Sequence, residues 1–114
     1  MADALRAAGA TVEIHDDHFA SDTADEEWIR EVGARGWIVL TRDERIRYRP
    51  LERRAVVEAR VRLFCVTGGR MKGADMAAVL THQLRKLENV SRSEPAPFIA
   101  RVTRSRVLVS RLRR

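Results

Sequence analysis

Residues 25–43, DEEWIREVGARGWIVLTRD, constrain the fold more than any other stretch of this chain. Asp25, Glu26 and Glu27 form an acidic helix start, where negative side chains meet the positive end of the helix dipole. Trp28, Ile29 and Val32 are spaced to share one apolar face, and Arg30, Glu31 and Arg35 the polar one. Gly36 stops the helix. Trp37, Ile38, Val39 and Leu40 then form an apolar run too short for a helix and suited to a buried parallel strand. Thr41, Arg42 and Asp43 end it. In a parallel α/β sheet, helices start and strands end at the same edge, where such sheets place their sites. Asp25 and Asp43 are therefore expected to meet there. Two close carboxylates repel unless a cation lies between them, and hard oxygen donors favour Mg²⁺ or Mn²⁺. The alternative is a helix-start residue and a solvated turn residue with no joint role.

Either side of this unit the pattern repeats. Ala2 to residue 8 reads as a helix ended by Gly9, and residues 11–15 alternate like a strand. Residues 16–19 read as a polar loop, and Ser21, Asp22 and Thr23 are candidate helix caps, Thr23 having capping-box spacing to Glu26. Pro50 suits a first helical turn, with Leu51, Ala55 and Ala59 as the apolar face. Residues 61–66 read as a strand, 67–73 as a loop, and 74–89 as a helix with Met76, Leu80, Leu84 and Leu87 inside. Residues 98–103 and 107–112 alternate around Arg104 and Ser105, a hairpin signal. The expectation is one α/β domain over 1–114 with a mostly parallel sheet. Segments 12–15, 37–40 and 61–66 would form its centre, and about 98–112 a basic C-terminal hairpin.

Charge and cysteine usage narrow the function. The net charge is +6, and residues 101–114 carry six arginines and no acid. A polyanionic partner, nucleic acid first, fits this distribution, as does a solubilising tail. Arg42, Arg45, Arg47 and Arg49 follow the acidic pair directly and are candidate phosphate contacts, or partners of Glu44, Glu52 and Glu58. The lone Cys65 excludes an internal disulfide and any multi-cysteine metal site. It fits a reducing cytoplasm and lies in an apolar run that reads as a buried strand. No apolar run has the length of a membrane span, and no signal peptide is evident. His15 and His18 could ligate zinc only if their segment were helical, and no third strong ligand is evident. Asp17 or Asp16 could instead join Asp25 and Asp43, since they follow an expected strand. No nucleotide-binding glycine loop or nucleophile elbow is present.

Taken together, these phrases resemble a known family. Asp25 followed by Thr41-x-Asp43 looks like the third and fourth acidic positions of PIN-domain ribonucleases, of which VapC-type toxins are the best-known members. DDHF at 16–19, DEEWI at 25–29, GWIVLTRDERIR at 36–47, RP with a following acidic helix at 49–52, and PAPFIARV at 95–102 are similar to a PIN-like subgroup. The resemblance implies an Mg²⁺- or Mn²⁺-dependent endoribonuclease, often neutralised by a small antitoxin, with a homodimer as an allowed assembly. Asp25, Asp43 and Glu26 would be catalytic. Asp25, Asp43 and Asp17 would hold the metal, and Arg42, Arg45 and Arg47 the RNA. PIN domains begin with a central strand bearing an aspartate; here Met1 opens on a helix, so that strand is expected to be missing and activity impaired. The alternative is a non-catalytic module that binds RNA or protein through the same fold and its basic tail.

Overall fold

The computed structural model describes residues 2–67 and 73–112. In chain order its elements are helix α1 (Ala2–Ala7), a helical turn α2 (His15–His18), α3 (Asp25–Ala34), strand β1 (Ile38–Thr41), a 3₁₀ turn (Glu44–Arg47), α4 (Pro50–Glu58), β2 (Arg62–Val66), α5 (Gly73–Ser93), β3 (Phe98–Val102) and β4 (Val107–Arg111). The sheet order is β1-β2-β3-β4. The first three strands are parallel, and β3 and β4 form an antiparallel hairpin. This is the expected mostly parallel α/β sheet with a C-terminal hairpin.

Local signals place these elements. Helix α3 ends in a Schellman motif: Trp37 N–H donates to Val32 O, Gly36 N–H donates to Gly33 O, and Gly36 has φ +71°. Helix α4 starts at Pro50 and ends in the same motif, Val61 N–H to Val56 O and Arg60 N–H to Val57 O. There Arg60 takes the left-handed position, φ 54°, that usually belongs to glycine.

The sheet is covered on both faces. On one, α1 and α5 bury Leu5, Met76, Leu80, Leu87 and Val90 against Phe64, Val66, Phe98, Ala100 and Val102. Phe64 and Phe98 meet edge to face at 5.4 Å. On the other, α3, α4 and the 3₁₀ turn bury Ile29, Val32, Ile46, Ala55 and Val56 against Val39, Leu63, Cys65 and Ile99. Gly33 lets α3 and α4 approach closely, since a Cβ there would lie 2.6 Å from Ala59 Cβ and 2.8 Å from Ala59 O.

Several expectations need correction. Residues 11–14 form no strand, and the third parallel strand is β3. The Val12 carbonyl is taken by the Arg6 guanidinium, at 2.7 and 3.2 Å, and Val12 packs on the α1–α5 core. Residues 15–18 are a helical turn instead of a loop. No side chain caps α3: its N-cap is Ala24, so the Thr23–Glu26 capping box does not form. In α4 the buried positions are Ala55 and Val56, while Leu51 is 58% exposed. The glycine-containing loop at 68–72 and the tail residues Arg113 and Arg114 lie outside the described residues.

Candidate metal and nucleic-acid site

Asp25 and Asp43 come together at the carboxyl edge of the sheet, as the helix–strand order requires. Asp25 is the first residue of α3, and its Oδ1 accepts from the Trp28 indole at 2.8 Å. Asp43 follows β1 and caps the 3₁₀ turn. Its backbone N–H donates to Thr41 Oγ1 at 3.1 Å, so the threonine of Thr41-x-Asp43 fixes the loop that carries the carboxylate. Its Oδ1 accepts from the Arg45 backbone N–H at 3.0 Å and the Arg45 Nε at 3.3 Å.

The cation between the carboxylates is Arg49. One guanidinium nitrogen, Nη1, lies 3.2 Å from Asp25 Oδ2 and 3.4 Å from Asp43 Oδ2. The two oxygens are thus separated by no more than those two contacts end to end. All three side chains are about one-third exposed (34%, 32% and 35%), so solvent reaches the pair and moderates the attraction. Charge alone does not distinguish Arg49 within its basic run, but Pro50 does. A residue before proline is held extended, and Arg49, with φ −79° and ψ 121°, precedes α4 and reaches both Asp25 and Asp43.

The other predicted residues are placed less centrally. Glu26 is half-buried in the first turn of α3, and Asp17 is exposed in α2. Among the described residues no three His, Cys, Asp or Glu side chains are placed to hold one ion. The two carboxylates alone suit a hydrated Mg²⁺ or Mn²⁺, which needs only one or two protein carboxylates and keeps several waters. Arg42 and Arg45 are exposed. Arg47 is half-buried, donates to Glu44 O at 3.3 Å and lies over the Tyr48 ring at 4.8 Å.

The His15/His18 cluster does structural work. His15 packs on Phe19 (5.3 Å) and edge-on to Trp28 (5.6 Å), and His18 packs edge-on to Trp37 (5.2 Å) with Nε2 3.0 Å from Glu13. These rings clip α2 onto α3 and the start of β1. Cys65 is fully buried, its thiol 3.5 Å from Asp43 O. Burial pushes that thiol from its ordinary 9.0 up to about 11. Arg111 in the basic tail pairs with Glu94 at 3.1 Å.

Comparison with known proteins gives the family. The family described as "PIN like domain" matches residues 1–68. A protein of Mycobacterium tuberculosis named "Putative ribonuclease VapC45" is 32% identical over 108 residues, covering 91% of this chain and 78% of that protein. No solved structure matches the chain significantly. Acidic helix start, apolar strand and Thr41-x-Asp43 loop all fall inside the matched region, and the chain belongs to the PIN-like domain family.

Proposed function

We propose that this protein is a metal-dependent endoribonuclease of the toxin type, with RNA as substrate and a small antitoxin protein as partner. The observation that carries the reading is the convergence of Asp25 and Asp43 on one cation at the carboxyl edge of the sheet. Family membership and the relative's name as a ribonuclease support it. Asp25 and Asp43 would hold Mg²⁺ or Mn²⁺. Glu26, one residue from Asp25, is the carboxylate best placed in sequence to join through a water, and Asp17, exposed on α2, forms no three-ligand group with the pair. When bound, the metal would lower the pKa of a water and offset charge on the phosphate under attack.

The chain's own residues have separate tasks. The Trp28 indole orients Asp25, and the Arg45 amide orients Asp43. Arg49 keeps the two carboxylates together without metal and would release them when a divalent ion enters. Arg42, Arg45 and Arg47 would hold the RNA backbone. Incubation of single-stranded RNA with the protein should give fragments in Mn²⁺ and none in EDTA. Intact RNA under both conditions, with binding retained, would favour the non-catalytic RNA-binding module.

A further inference from the structure

Beside the acidic pair lies a second feature, a basic cleft of about 180 Å³ lined by Arg47, Tyr48, Arg53, Ile99, Arg101 and Ser110. We propose that this cleft is a nucleotide subsite: Tyr48 stacks a base of single-stranded RNA, and Arg47, Arg53 and Arg101 hold its phosphate. The proposal rests on the RNA reading above and extends it to residues with no role in the metal site.

Four observations carry it. The lining holds three arginines and no acid. Arg101 is exposed, and its guanidinium has no polar partner among the described residues. Tyr48 is 70% exposed, which is unusual for so large a ring, and the Arg47 guanidinium lies over it at 4.8 Å. A ring backed by a cation and otherwise open to solvent is a stacking platform for a base. Finally, the cleft is smaller than the roughly 300–1,000 Å³ that encloses a whole small molecule, so it suits one unit of a longer ligand.

Its position links it to the acidic pair. Thr41 pairs with Cys65, and Cys65 with Arg101, across adjacent parallel strands. Arg101 therefore lies two strands from the end of β1, on the order of 10 Å. Cys65 touches Asp43 O, and Arg47 belongs to the 3₁₀ turn that Asp43 caps. Arg53 fixes the cleft wall by donating to the Arg47 carbonyl. One strand of RNA could lie along Arg47, Tyr48 and Arg101 with a phosphate before Asp43. Arg47 also faces Glu44, at 3.9 Å, which shares its charge without closing the cleft.

The test is binding of a fluorescent single-stranded RNA of about 12 nucleotides in EDTA, so that no cleavage occurs. Arg53→Glu and Arg101→Glu should each weaken binding about tenfold or more and flatten the salt dependence by roughly one phosphate contact. Tyr48→Ala should weaken it about five- to a hundredfold. Arg92→Glu makes the same charge change in the last turn of α5, which covers the other face of the sheet, and should have little effect; melting curves confirm that each variant folds. Unchanged affinity in the cleft variants, equal loss in Arg92→Glu, or no RNA binding by the wild type would each overturn the subsite. So would polyglutamate competing as well as RNA with indifference to Tyr48, which would mark an acidic protein segment as the ligand. A missing Mn²⁺-dependent cleavage with these binding effects intact would instead strike the nuclease reading alone.

Discussion

Arg49 owes its place to its neighbour Pro50, which holds it extended at the start of α4. From there a single nitrogen offsets the repulsion between Asp25 and Asp43. A divalent ion must compete with that guanidinium. Arg49→Met should therefore lower metal-free stability by roughly 0.5–1 kcal/mol, the exposed setting keeping the loss small. The same variant should bind Mn²⁺ about tenfold more tightly, a gain of ~1.4 kcal/mol. Thermal melts with and without Mn²⁺ read both effects. Cys65 gives a second prediction at this scale. Its folded thiol ionises only near pH 11 against an ordinary 9.0, so the unfolded chain loses the proton first. The resulting stability is complete below pH 9 and is lost as pH rises from about 9 through about 11. Urea melts across that window should show a steeper decline in wild type than in Cys65→Ala.

The helices test a different claim, that close backbone contact places Asp25 near α4. Gly33 has no space for a methyl: its Cβ would meet the Ala59 backbone oxygen at 2.8 Å as well as two side chains. Gly33→Ala removes a poor helix former, a gain of up to ~1 kcal/mol. Overpacking against backbone costs about 1–3 kcal/mol and should win, so the variant should melt earlier. A later melt would mean that α3 and α4 separate easily. Helix α3, β1, α4, β2 and the hairpin were legible because their signals are local: Gly36, Pro50, and short apolar runs. Residues 11–15 alternate yet form no strand, because a strand also needs a neighbour's backbone groups. Here the Arg6 side chain takes the Val12 carbonyl instead. The meeting of Asp25 and Asp43 was legible because strand and helix polarity dictates it. The ring clip of His15 and His18 on Trp28 and Trp37, and the cleft of Tyr48, Arg53 and Arg101, were not, since each depends on side chains distant in sequence.

Across the whole molecule, the acidic pair lies at the carboxyl edge of the sheet and the basic cleft on the α3–α4 face of β3 and β4, joined by the 3₁₀ turn that Asp43 caps. Core packing lies beneath them, with α1 and α5 on the far face. Among the described residues no helix is long and apolar enough to cross a membrane. The net charge of +6 is therefore not diffuse in its effect: arginines flank the carboxylates on the side where β3 and β4 extend. This arrangement would draw a polyanion to the edge and present its phosphate to a cation held by Asp25 and Asp43. The nuclease reading depends on these two carboxylates forming a divalent-cation site. Calorimetric titration of the protein with Mn²⁺ tests it most directly. The account predicts saturable binding by the wild type, weakened at least about tenfold in both Asp25→Asn and Asp43→Asn, since each removes one charged ligand. Equal binding by wild type and both variants, or no binding by the wild type, would contradict it.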